Sequence, residues 1–173
     1  AVKRIVNFIK KNNLNVLVIL NTHAHFDHIG AISMLIQHGQ YPFYLHKNEI
    51  KLLNSANEYT MMFGIPNIDI PTVDNILHDS SMLYFSGYGV EVIETPGHTA
   101  GGVSYLIDGH LFTGDTLFSG SIGRTDLPEG NLDTLLNSIN TKLMGLEESI
   151  IIHSGHGPDT SIGVEKRTNP FLQ

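Results

Sequence analysis

Residues 14–20 (LNVLVIL) form a nearly unbroken β-favouring run, followed at once by Asn21-Thr22-His23-Ala24-His25-Phe26-Asp27-His28. This junction restricts the possible folds more than any other feature of the chain. An apolar run without alternation is the pattern of a strand buried on both faces. Three imidazoles and a carboxylate just beyond its end are poor core material, because each would cost several kcal/mol if desolvated without partners. The fold must therefore let a buried strand end at a polar site. His23 and His25 lie two apart on an extended segment and face the same way, whereas Asp27 and His28 begin a helix and point elsewhere. Asp27 also suits the positive end of that helix.

The rest of the chain mixes helices and strands throughout. Val2, Ile5, Val6 and Ile9 predict an amphipathic helix over residues 2–11, and Ile29, Ile32, Leu35 and Ile36 predict a second that stops at Gly39. A strand over 41–46 and a helix over 47–56 follow, while residues 57–81 carry no firm pattern. Residues 88–95 and 103–107 read as strands, and Asp108-Gly109 as a two-residue hairpin turn into a strand over 110–113. A glycine-rich loop over 114–130 precedes a helix with Leu132, Leu135, Leu136, Ile139 and Leu143 on one face. A strand over 149–153 and a short helix limited by Pro170 complete the chain. This order is that of an α/β layered protein, read as a single domain over residues 1–173.

Three more candidate ligands stand just beyond predicted strand ends: His98 in TPGHT, Asp115 in FTGDT and His156 in SGHGP. With the first motif they make five histidines and two aspartates, enough to hold two metal ions with one carboxylate bridging. Cysteine is absent, which excludes disulfides, thiolate zinc sites, a thiolate nucleophile and iron–sulfur clusters. Any metal is therefore held by imidazole and carboxylate, donors that suit zinc, iron and manganese. The net charge of -7, without a long basic run, argues against a nucleic-acid partner. No stretch approaches the roughly 20 apolar residues of a membrane span, and no signal peptide is visible, so a cytoplasmic location is expected.

These four motifs, in this order, resemble the metallo-β-lactamase superfamily, and the resemblance runs through essentially the whole chain. It implies an αββα sandwich of two sheets flanked by helices. It also implies that His23, His25 and His98 hold one metal, that Asp27, His28 and His156 hold the other, and that Asp115 bridges them. Members of the family usually begin with several strands before the first helix. Ala1 runs directly into a helix here, so the native N-terminus is expected to lie further upstream. The segments Gly120–Asp126 and Glu165–Leu172 are most similar to short glyoxalase II-like hydrolases. The given residues end soon after GHGPDT, so the helical domain with which full-length glyoxalase II grips glutathione is expected to be missing. Aspartate at position 115, where zinc β-lactamases commonly use cysteine, counts against antibiotic hydrolysis.

The expected reaction is hydrolysis of a small thioester such as S-lactoylglutathione by a hydroxide bridging two divalent metals, zinc first, with iron or manganese also compatible. Asp27 is expected to orient that hydroxide. A thiol with a pKa of about 8.5 leaves without a general acid, and none is evident near the motifs. Arg124 has two open readings: a fork for a substrate carboxylate, or a partner for Asp126 that stiffens the loop. Tyr59, Met61, Met62 and Phe63 likewise read either as a substrate wall or as a patch under a loop. The rival activity is that of a persulfide dioxygenase, with one iron on His23, His98 and Asp115. His156 would then have no task.

Overall fold

The computed structural model describes residues 2–78 and 80–173, and the chain divides into two units, Ala1–Leu77 and His78–Gln173. It is of the mixed α/β class, each unit pairing one main sheet with its own helices.

The first unit opens with α1 (Val2–Lys11), whose C-terminal Lys10 and Lys11 suit the negative end of the helix. Then β1 (Ile19–Leu20), β2 (Phe43–His46) and β3 (Asn75–Leu77) form a parallel sheet in the order β1-β2-β3. The predicted strand over 14–20 pairs only at its last two residues, and Leu14 is half exposed. Among the described residues, β1 is the edge of its sheet, with a hydrogen-bonded neighbour on one side only.

The β1–β2 crossover holds α2 (Phe26–Ile29) and α3 (Ile32–Gly39), two short helices where the periodicity predicts one. The break falls at Gly30-Ala31. Gln40, in the left-handed region at φ 52°, closes α3 by donating its N–H to Ile36 O at 2.7 Å. After β2 come a 3-10 turn (Lys47–Glu49), α4 (Ile50–Asn54) and α5 (Ala56–Met62). Ala24, Ile29, Ile32, Phe43, Leu45, Leu52 and Leu53 form the core of this unit.

The second unit is a six-stranded sheet ordered β11-β10-β7-β6-β5-β4. Its strands are β4 (Ser81–Phe85), β5 (Tyr88–Glu94), β6 (Val103–Ile107), β7 (His110–Gly114), β10 (Ile151–Ser154) and β11 (Thr160–Ser161). The hairpin predicted at Asp108-Gly109 is present, with φ of 49° and 76° matching the turn that fits strand twist. A second hairpin at Ser86-Gly87, φ 49° and 91°, brings in β4, a strand that the sequence reading does not assign.

Within the glycine-rich loop, β8 (Leu117–Phe118) and β9 (Ser121–Ile122) pair as a small ribbon. Asn131 caps α6 (Leu132–Ser138) through Thr134 N–H at 2.8 Å, and α6 continues as a π-helical turn over Ile139–Leu143. α7 (Ile162–Thr168) follows β11. Leu111 and Ile152 pack with Leu135, Ile139, Leu143 and Ile162 between sheet and helices. Among the described residues no helix is long and apolar enough to cross a membrane.

Strand direction decides where the ligand loops emerge. β5 is antiparallel to β6, β6 is antiparallel to β7, and β7 is parallel to β10. Hence β5, β7 and β10 run the same way, and their C-terminal loops leave one edge of the sheet. Those three loops carry His98, Asp115 and His156. Carboxyl ends of strands are where α/β sheets place ligands.

Candidate metal centre

In the first unit, four side chains gather where β1 gives way to α2. His23 and His25 are buried, their ring centroids 4.9 Å apart and nearly perpendicular. His28, from the second position of α2 plus one residue, brings its ring centroid to 4.0 Å from that of His23. Asp27 Oδ2 lies 3.7 Å from His28 Nε2, and its side chain is 43% exposed. The ligand atoms of His23 and His25, and those of Asp27 and His28, fall within 4.8 Å of one another.

The backbone of this segment is fixed from two sides. Asn21 Nδ2 donates to His23 O, and Ala24 N–H donates to Glu49 Oε2 at 2.7 Å. Glu49 is fully buried, and sequence reasoning passed over it. Its signal was legible: Glu49, Leu52, Leu53 and Ala56 share the apolar stripe of one helical run, where a carboxylate is out of place unless something needs it.

In the second unit, Asp115 stands between two histidines. Its Oδ2 is 3.7 Å from His98 Nε2 and 3.6 Å from His156 Nε2. His98 Nδ1 donates to the Arg124 carbonyl at 2.7 Å, which leaves the Nε2 lone pair facing Asp115. The turn carrying Asp115 is tied to the end of β5, since Thr95 Oγ1 meets Thr116 Oγ1 at 3.2 Å and Ser104 Oγ at 3.0 Å. Gly123 is required at this spot, because a Cβ there would fall on the Asp115 carbonyl oxygen and press against His98 Cβ. Gly97, at φ +131°, similarly accepts the backbone of Leu135 where no side chain fits. Phe118 approaches His156 edge-on, with centroids 6.4 Å apart.

This donor set fits a divalent metal. Separations of 3.6 and 3.7 Å exceed a hydrogen bond, yet two donors bound to one tetrahedral ion at ~2.1 Å stand about 3.4 Å apart. Imidazoles crowded at 4.0 Å suit neutral rings with lone pairs to share, because two protonated rings would repel.

The Arg124 guanidinium is turned to Asp126, with Nε donating to Oδ1 and Nη2 to Oδ2, each at 2.7 Å. That hydrogen-bonded pair holds the Asp126 carboxyl down at about 2. Of the apolar residues near the first motif, Phe63 meets Phe26 at 5.6 Å, while Met61 and Met62 are exposed. Burial pushes the Tyr105 hydroxyl well above its usual range.

The sequence pattern of the metallo-β-lactamase superfamily matches residues 3–156. The hydroxyacylglutathione hydrolase GloC of Haemophilus influenzae is 42% identical to this chain, covering 98% of it and 82% of GloC. Two solved structures are similar throughout. The B3 metallo-β-lactamase BLEG-1 is 40% identical with a TM-score of 0.93, over 99% of this chain and 84% of that one. TTHA1623 in a di-iron-bound form is 36% identical with a TM-score of 0.89, over 98% and 84%.

Proposed function

The chain belongs to the metallo-β-lactamase superfamily and is a metal-dependent hydrolase, and on that premise we propose that it cleaves small thioesters of the hydroxyacylglutathione type at a centre of two divalent metals. His23, His25 and His98 would hold one ion, Asp27, His28 and His156 would hold the other, and Asp115 would serve both. Residues 1–173 then act as one domain, each unit supplying part of a single ligand set. The superfamily pattern supports this by spanning all seven positions. The observation that carries the reading is Asp115 Oδ2, set at nearly equal distance from histidines assigned to different ions.

When bound, such a pair of cations supplies Lewis acidity and lowers the pKa of a coordinated water towards ~7. The chain's own residues do the rest. The Arg124 carbonyl fixes the tautomer and aim of His98. Glu49 holds the turn between His23 and His25. Asp27, at the open side of its cluster, accepts a hydrogen bond from the attacking water and orients it. The leaving thiol, with a pKa of about 8.5, departs as thiolate without an acid. With Nε and Nη2 on Asp126, Arg124 keeps its Nη1 donors for a substrate carboxylate.

Zinc is the first candidate, and the likeness to a protein solved in a di-iron-bound form supports iron as the alternative. A single-iron dioxygenase would use His23, His98 and Asp115 and leave the place of His156 beside Asp115 without purpose. The likeness to BLEG-1 favours a β-lactam as second substrate class, against the expectation drawn from aspartate at 115. One assay series separates these readings. The metal-loaded protein is offered S-lactoylglutathione, a chromogenic β-lactam, and glutathione persulfide with oxygen uptake recorded. Thioester hydrolysis should exceed the other activities; oxygen uptake or β-lactam turnover as the main activity would overturn the proposal.

A further inference from the structure

Outside the ligand set, the second unit contains a chain of ionisable side chains that the chemistry above does not use. His153 Nδ1 lies 3.0 Å from Asp159 Oδ1, and His153 Nε2 lies 2.9 Å from His110 Nδ1. A carboxylate only accepts, so His153 donates from Nδ1 and receives at Nε2 the N–H of His110. The two rings are within 20° of parallel with centroids 5.1 Å apart, the arrangement of rings bonded end to end. Phe112 lies over His153 with centroids 4.9 Å apart, which fixes the ring further.

The position of this chain gives it a task. β10 keeps regular register with β7 as far as His153, and the register shifts between His153 and Ser154. Asp159 directly precedes β11. Residues 154–158 therefore make an excursion whose neck is closed by the His153–Asp159 pair and anchored by His110, the first residue of β7. His156 rides on that excursion. Its side chain is 60% exposed, against 12% for Asp115, so packing does little to hold it. Inside the excursion Ser154 Oγ donates to His156 O at 2.7 Å, and Gly155 N–H donates to Gly114 O at 2.8 Å. The first bond is local to the loop, the second ties its start to the end of β7, and the neck closes it at Asp159.

We propose that Asp159, His153 and His110 are positioning residues, a hydrogen-bonded neck that holds His156 where it ligates the second metal. The proposal rests on the reading of His156 as a ligand. It is tested by zinc titration of the whole chain against a chromophoric chelator, which yields an affinity for each ion. Asp159→Ala should weaken one ion by about tenfold or more and leave the other within about twofold, as outer-shell partners of metal ligands typically do. Asp159→Asn, which keeps an acceptor for His153 Nδ1, should recover most of the loss. Adding His153→Gln to Asp159→Ala should weaken binding little further, because the neck is already open.

Unchanged affinities in Asp159→Ala would overturn the proposal, as would an equal fall for both ions, the mark of general destabilisation. His156→Ala serves as reference. If that variant loses one ion while Asp159→Ala keeps both at wild-type affinity, the neck fails alone. If His156→Ala keeps both ions, the two-metal reading fails and takes the neck with it.

Discussion

Arg124 contributes to the centre through its main chain, since its carbonyl takes the His98 Nδ1–H while its guanidinium faces Asp126. Arg124→Ala should therefore leave metal content at the wild-type level, checked by elemental analysis; a variant that loses metal would contradict this assignment. If Arg124 binds the substrate carboxylate, the same variant raises KM for an anionic substrate more than it lowers kcat. The pH behaviour of the pair follows from its sign. Asp126 is held down to about 2, chiefly by its hydrogen bond to Arg124, so the pairing is complete above the ordinary carboxylate range and is lost as pH falls through about 2. A rate change between pH 5 and 9 therefore has another origin. Glu49 gives a test by stability. Glu49→Leu strands the Ala24 N–H in the interior and should cost about 1–3 kcal/mol in chemical denaturation, whereas Glu49→Gln retains an acceptor and costs less. Equal stability of the two variants would mean that the bond holds nothing.

At the scale of elements, the parallel directions of β5, β7 and β10 bring three distant sequence motifs to one sheet edge, and glycines let the loops approach. Gly123→Ala should expel the Asp115 turn from its place, with loss of metal and of thermal stability together. A variant with a normal melting temperature and normal metal content would show that the turn has room to move. Much of this was legible from residues alone. The histidines and aspartates stand out because apolar strands end directly before them, and Asp108-Gly109 declares its hairpin. Other features hid for physical reasons. The run over 14–20 reads as fully buried, yet among the described residues β1 has one neighbour, and no local pattern reports a strand's place in a sheet. The helix after His25 is split at Gly30-Ala31 although its apolar spacing continues across the break. Ser86-Gly87 was too short a signal to reveal β4. The His153–Asp159 neck joins residues six apart in sequence through side chains, which periodicity does not register.

For the whole molecule, the ligand set is divided: four candidate donors come from the first unit and three from the second. Neither unit alone supplies the ligands proposed for either ion. Metal binding should therefore couple the two units, so that zinc raises the melting temperature of the whole chain in a single transition and chelation lowers it. Likeness to GloC, BLEG-1 and TTHA1623 extends over nearly the full chain. What distinguishes this account from a single-iron oxygenase is the second ion, and that ion depends on Asp27, His28 and His156. The most direct measurement is the number of metal ions bound per chain in the wild type and in His156→Ala, determined on the same preparation as thioester turnover. About two ions are expected in the wild type and about one in His156→Ala, with turnover lost alongside the missing ion. One ion in the wild type, or full turnover in His156→Ala, would contradict it.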